Sequence, residues 1–366
     1  MANGKKVVVA MSGGVDSSVA AALLVEQGYD VTGVMLRLWS EPGKEESNRC
    51  CTPDAMAGAR RVAARLGIPF YALNAQDLFR STVVQAFMDG YRSGITPNPC
   101  IYCNSLIRWG FMYEAAREMG AEFMATGHYA RIAHQPDGSV QLLRGLDPEK
   151  DQSYVMSVLP QEKLRHTLFP VGGLPKPEVR EHARRFGLSV AERADSQDLC
   201  FLAGQDYRKF LARNVPEVAQ HGKIVRRDGS QAGEHQGLAF YTIGQRKGLG
   251  IAAPQPLYVM DKNLSTNELI VGDESELGRC GLSSGDINWI SGTAPAEPFD
   301  AHVKIRYRAA LAPGRITPIG ESGIQVDFKN SLRDITAGQR VVIYNGEVVL
   351  GGGTIQTTFN TIREQG

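Results

Sequence analysis

The chain has few cysteines, almost no net charge and no long apolar run. Six cysteines among 366 residues are too few for a disulfide framework, and a reducing compartment leaves them as thiols. Lys and Arg total 40 against 39 Asp and Glu, a formal charge of +1. That balance excludes wholesale coating of nucleic acid, so a polyanion must be met by local patches such as Arg184-Arg185, Lys223 to Arg227 and Arg246-Lys247. No apolar stretch approaches the length that crosses a bilayer and the start is too polar for a signal peptide, so a cytoplasmic protein with no membrane partner is expected. Low-complexity tracts, internal repeats and exposed heptads are absent as well. What remains, 43% hydrophobic and 22% charged, is the composition of an ordinary globular chain of two or three domains.

The first half alternates strands and helices. Lys5 to Met11 reads as a buried parallel strand and Asp16 to Gln27 as a helix. Strands at Asp30–Leu38, Pro69–Leu73 and Ala121–Thr126 and helices at Pro53–Leu66, Asp77–Tyr91 and Asn104–Met119 continue the pattern. The expected fold is a doubly wound parallel α/β sheet over residues 1–206, with its ligand at the carboxyl ends of the strands. From about Asp206 the texture changes to short antiparallel segments at Gly237–Ile243, Pro256–Asp261 and Glu268–Val271, a small central β-rich domain over 207–277. Strand candidates at Ala301–Tyr307, Gly323–Phe328, Arg340–Asn345 and Glu347–Thr354 predict a C-terminal β-barrel over 278–366.

Where the first strand hands over to its helix the chain reads Ser12-Gly13-Gly14-Val15-Asp16-Ser17-Ser18. Glycines allow close backbone approach, and a helix N-terminus presents unbonded N–H groups and a positive dipole end, which together favour a phosphate. The Lys-Ser or Lys-Thr pair of a Walker loop is missing. The hydroxyls of Ser12, Ser17 and Ser18 are donors instead, and Asp16 makes sense beside Mg²⁺. A glycine turn with a helix cap is the plain alternative.

This stretch resembles the pyrophosphate-loop signature of ATP pyrophosphatases, which cleave between the α and β phosphates. TPNPCIYCNSLIR at Thr96 to Arg108 and DSQDLCF at Asp195 to Phe201 add two cysteine motifs. Together they resemble the tRNA-specific 2-thiouridylase family, from the opening loop to Gly351-Gly352-Gly353. The resemblance implies ATP with Mg²⁺ as cofactors, tRNA as partner, and 2-thiolation of the wobble uridine of the glutamate, glutamine and lysine tRNAs. It implies Cys103 as nucleophile and Cys200 as carrier of a persulfide received from a cysteine desulfurase or sulfur-relay protein, the pair ending as a disulfide. It assigns ATP to Ala10, Met11, Ser12, Gly13, Gly14, Val15, Asp16 and Ser17, with Leu36 and Gly127. It assigns the target base and tRNA to Asn98, Pro99 and Cys100, then His128, Lys150, Asp151 and Gln152, then Arg306, Tyr307 and Gln339. Some family members have an aspartate at the position of Cys100; a thiol is a poor acid or base, so that role is not carried over.

Alternatives stay open on the residues alone. Cys100, Cys103 and Cys200 have the makings of a ligand set for an iron–sulfur cluster with one open iron, or for a structural metal on a protein that only docks RNA. A small-molecule ligase with the same loop is disfavoured by the two cysteine motifs. GLGIAA at Gly248 to Ala253 lacks the strand and helix of a dinucleotide site. Cys50, Cys51 and Cys280 default to structural or surface thiols, and no metal ligand is firmly assigned.

Overall fold

The structure, a computed structural model, describes residues 4–43, 52–193 and 199–360. Strands β1 (Lys6–Ala10), β2 (Asp30–Arg37), β3 (Phe70–Asn74), β4 (Phe123–Thr126) and the short β7 (Thr167–Leu168) form a parallel sheet in the order β3-β2-β1-β4-β7. The strand order reverses between β1 and β4, which opens a crevice at their carboxyl ends. Helix α1 (Val15–Glu26) fills one face; its alanines and leucines are buried nearly all round, because α2 (Pro53–Leu66) and the helix Lys176–Arg185 enclose it.

Two helical segments depart from the regular α ladder. Gln76–Arg92 and Pro99–Glu118 each contain π turns, at Arg80–Val84 and Cys103–Met112. At the second, the Asn104 side chain donates to the Cys100 carbonyl at 2.9 Å, competing for the acceptor that an α turn would use. The apolar periodicity of 3.6 residues hides this change of register.

The central domain orders its strands β10-β11-β8-β9, with β8 (Gly222–Arg226), β9 (Gln231–His235), β10 (Tyr258–Asn263) and β11 (Glu268–Gly272). The sheet is mixed, since β8 and β11 run parallel. Gly237 to Ile243, expected as a strand, instead holds a 3₁₀ turn at Leu238–Phe240; Gly237 sits at φ 141, where a regular strand cannot continue.

Strands β12 (Arg279–Trp289), β13 (Phe299–Lys304), β14 (Ala312–Ile319), β15 (Gly323–Leu332), β16 (Arg340–Asn345) and β17 (Val348–Phe359) close into an antiparallel barrel through the β12–β17 pairing. Alternating residues such as Val303, Ile316, Val326 and Ile343 fill its interior. A hairpin from the first half, β5 (Ala130–His134) and β6 (Val140–Arg144), extends the same sheet by pairing β6 with β17. Catalytic-half and barrel residues therefore share one hydrogen-bonded ladder.

The seam is locked by a buried cation. Arg340 donates to Ser157 Oγ at 2.7 Å, the Ser157 carbonyl at 3.1 Å and the Gly352 carbonyl at 2.7 Å. Burial lowers its pKa to about 10, still charged at neutral pH. A Cβ on Gly352 would stand 3.1 Å from Arg340 Nε and 2.8 Å from Ser157 Oγ, so glycine makes room for the lock. Arg340→Met keeps much of the volume but strips two buried carbonyls of a donor. Urea unfolding is expected to show a loss of ~2–4 kcal/mol, and a loss under ~0.5 kcal/mol would mean that the seam does not depend on this contact.

Candidate active site

The loop after β1 is built to keep its donors pointed outward. The Ser12 N–H donates to Ser17 Oγ at 3.1 Å and Ser18 Oγ donates to the Gly14 carbonyl at 2.8 Å. Gly14 caps α1 with no side-chain bond, so the first-turn N–H groups keep their anion-binding capacity. Gly13, at φ 73, could not bear a Cβ, which would lie 2.4 Å from the Ala55 carbonyl oxygen of α2. Arg193 Nη1 donates to the Gly13 carbonyl at 2.9 Å. Across the crevice a Cβ on Gly127 would lie 2.5 Å from the Ser17 nitrogen, so the end of β4 seats the first turn of α1.

These groups face a cavity of about 940 Å³ lined by the sheet and the barrel, room enough for a nucleotide. All the loop candidates but Gly13 line it, together with Leu36 and Gly127. Seven Lys and Arg side chains line it against three Asp and Glu, a wall that favours a polyanion. Asp16 receives two bonds on one oxygen: Tyr129 O–H donates to Oδ1 at 2.8 Å and Lys176 Nζ at 2.6 Å. Lys176, Arg193 and Tyr129 escaped the motif reading. A signal for Lys176 existed: flanked by Pro175 and Pro177 at a helix start, its charge opposes the helix dipole and needs a carboxylate.

His128 lines the cavity but is only 7% exposed, and its ring is fully bonded. Arg108 Nη1 donates to Nε2 at 2.9 Å, which leaves Nδ1 to donate to Thr126 Oγ1 at 2.7 Å. Burial, then the Arg108 charge, holds the imidazole well below its ordinary pKa, so the ring is neutral. Lys150, Asp151 and Gln152 also line the cavity. Asp151 Oδ1 accepts from the Gly145 and Ser153 N–H groups, both at 3.0 Å, and its other oxygen from Arg144 at 3.2 Å. Gln152 Oε1 accepts from the Tyr129 N–H at 3.0 Å. Those two side chains shape the loop that presents Lys150.

The barrel supplies Tyr307 to the cavity, 37% exposed, with its ring 6.0 Å from that of Tyr154. Arg306 turns away: Nη2 donates to Thr336 Oγ1 and, at 3.4 Å, to the Ile243 carbonyl of the central domain. Gln339 Nε2 donates to the Thr96 carbonyl at 2.8 Å, so it grips the segment leading to Asn98, Pro99 and Cys100.

Neither Cys103 nor Cys200 lines the cavity. Both border a single apolar cluster built on Phe79, Phe87, Phe201 and Phe210. Leu38 belongs to that cluster, Leu36 packs against it, and both also wall the cavity, so the thiols' neighbourhood abuts the phosphate loop through the end of β2. Cys100 is exposed while Cys103 and Cys200 are half-buried. Among the described residues no three His, Cys, Asp or Glu side chains gather as metal ligands. Cys103 and Cys200 pack against the apolar core. Cys50, Cys51 and Asp195 to Asp198 lie outside the described residues.

Three family models match consecutive stretches: a tRNA methyl transferase HUP domain over residues 5–204, a tRNA methyl transferase PRC-barrel domain over 208–273 and an aminomethyltransferase beta-barrel domain over 279–355. The tRNA-specific 2-thiouridylase MnmA of Symbiobacterium thermophilum is 46% identical over 363 residues, covering 97% of this chain and 93% of its own. That of Geobacter metallireducens is 46% identical over 360 residues, covering 97% and 98%. The chain belongs to the tRNA-specific 2-thiouridylase family. A solved 4-thiouridine synthetase in complex with RNA and ATP is 21% identical, covers 58% of this chain and 51% of its own, and has a TM-score of 0.36. For a 2-thiouridylase family member, the same described residues contain no helix long and apolar enough to cross a membrane.

The neutral His128 carries a pH signature. Unfolded, its ring takes up a proton near its ordinary value of 6.5, whereas the folded ring does not until well below that. The unfolded state therefore binds more protons in that window, and stability falls as pH drops below about 6.5. His128→Asn is expected to flatten the acid limb of a melting-temperature profile relative to the wild type; parallel profiles would contradict the assignment.

Proposed function

We propose that the chain catalyses ATP-dependent 2-thiolation of the wobble uridine of the glutamate, glutamine and lysine tRNAs. The observation that carries this reading is the shared wall: Leu36 and Leu38 join a cation-lined, nucleotide-sized cavity to the apolar cluster bordered by Cys103 and Cys200. Methyl transfer, the chemistry in two of the three family descriptions, would use neither the phosphate loop nor two thiols.

Uracil resists attack at C2 because its O2 is a poor leaving group. In the proposed first half-reaction O2 bonds to the α-phosphorus of ATP, the bond to the bridging oxygen breaks, and its electron pair leaves with pyrophosphate. The Ser12 and Ser17 hydroxyls, the first-turn N–H groups of α1 and the Lys176 ammonium hold that departing charge. Asp16 would hold the nucleotide's Mg²⁺, which adds neutralising charge; its two hydrogen bonds both use Oδ1.

In the second half the terminal sulfur of a Cys200 persulfide bonds to C2, and the C2–O2 bond breaks with its pair leaving on AMP. The Cys103 thiolate attacks Cys200 Sγ, releasing the transferred sulfur. The sulfane sulfur is reduced, two thiols are oxidised to a Cys103–Cys200 disulfide, and a dithiol reductant restores them. A cysteine desulfurase or sulfur-relay protein supplies the persulfide. The target base reaches the pocket from a single-stranded loop, where flipping costs little, with Lys150, Tyr307 and the segment from Asn98 to Cys100 as its contacts.

The test is thiolation in vitro with a desulfurase, cysteine, Mg²⁺-ATP, reductant and unmodified glutamate tRNA. Cys103→Ser and Cys200→Ser are each expected to lower 2-thiouridine formation by more than ~10³-fold while tRNA affinity changes less than ~3-fold. Equal loss of tRNA binding in both would assign the cysteines a structural role. Asp16→Ala is expected to slow tRNA-dependent pyrophosphate release ~10²-fold; full-rate release would remove the loop from the reaction.

A further inference from the structure

Arg108 joins the two halves of the site physically. It lies on the ten-residue π-helix that begins at Cys103. On that helix it is the one polar side chain that lines the cavity walled by the phosphate loop. Its guanidinium donates to the buried His128 ring at 2.9 Å, and that ring is wedged between Trp109, 5.6 Å away, and Phe169, 6.4 Å away. The imidazole orients the guanidinium firmly and contributes no charge of its own.

We propose that Arg108 is a catalytic residue that binds the α-phosphoryl group of ATP through both half-reactions. This rests on the thiolation reading above. Of the three phosphoryl groups of ATP, the α group alone takes part in both halves. Charge builds on its non-bridging oxygens while O2 bonds to it and the bridging oxygen departs with pyrophosphate. Charge builds on it again when sulfur bonds to C2 and O2 departs with AMP. The pyrophosphate end is served by the α1 terminus with Lys176 and Arg193, which are bonded to Asp16 and Gly13 of the loop. A planar guanidinium carried by the nucleophile's own helix is suited to the remaining end, where it stabilises developing oxyanion charge.

The experiment uses the full chain, unmodified glutamate tRNA, and the two diastereomers of ATP that carry sulfur in place of one α non-bridging oxygen. Wild-type protein is expected to release pyrophosphate only with tRNA and to prefer one diastereomer. Absence of any tRNA-dependent release from wild type would end the thiolation reading itself, a separate failure. Arg108→Gln is expected to slow release ~10²-fold with the KM for ATP within ~3-fold of wild type, and to bring the diastereomer preference towards one. Arg108→Lys keeps the charge and is expected to recover most of the rate while still altering the preference. A Gln variant within ~2-fold of wild type, or either variant with the wild-type diastereomer preference, overturns the proposal. If the Gln variant does not fold, the preference of the Lys variant decides alone.

Discussion

The short segment from Gly94 to Thr96 is where three parts of the chain are fastened together. Gln339 donates to the Thr96 carbonyl at 2.8 Å, and the Thr96 N–H donates in turn to the Ala337 carbonyl at 3.1 Å. This approach is open only because Gly338, at φ 87, has no Cβ; one would stand 2.9 Å from the Thr96 oxygen. From the central domain, Lys262 Nζ donates to the Gly94 carbonyl at 3.3 Å, and burial brings its pKa down to about 8. The segment that leads into Cys100 and Cys103 is thus held from two sides before its helix begins at Pro99. Precision at a reacting sulfur depends on such support, because a small displacement of a nucleophile costs much of its rate.

The same fastening explains why the barrel and the catalytic sheet are not separable modules. The β5–β6 hairpin lies in the barrel's ladder, and the buried Arg340 ties Ser157 to Gly352 across the seam. The cavity forms between them, with phosphate-binding groups on the sheet side and Tyr307, Lys304 and Arg308 on the barrel side. A ligand spanning both walls, such as a nucleotide meeting a flipped base, finds polar groups at each end and apolar Leu36 and Leu38 between.

Much of this was legible in the sequence because it rests on local rules. The opening strand, the glycine loop and α1 follow from small-residue patterning and helix-terminus physics, and Pro53–Leu66 was read to the residue as a helix of the alternating pattern. Arg340–Asn345 was equally plain as a strand. β12 was not, since Arg279–Trp289 is rich in Gly, Ser and Asp and becomes a strand only by pairing on both sides. The π turn at Cys103 escaped because it coincides with a single side-chain bond from Asn104 that apolar periodicity does not reveal. Of the candidate site residues, those on the loop other than Gly13 line one cavity, while Arg306, Gln339 and Asp151 have partners within the protein. Lys176 offered only the signal of a cation at a proline-flanked helix start and Arg108 offered none, because their place in the cavity comes from tertiary packing.

The most direct measurement is the redox state of the two cysteines after one turnover. Protein loaded with persulfide is mixed with Mg²⁺-ATP and unmodified glutamate tRNA without reductant, then digested and weighed by mass spectrometry. The account predicts a peptide pair linked through Cys103 and Cys200 in step with 2-thiouridine formed. Thiouridine accumulating while both cysteines stay reduced, or with either linked elsewhere, would contradict it.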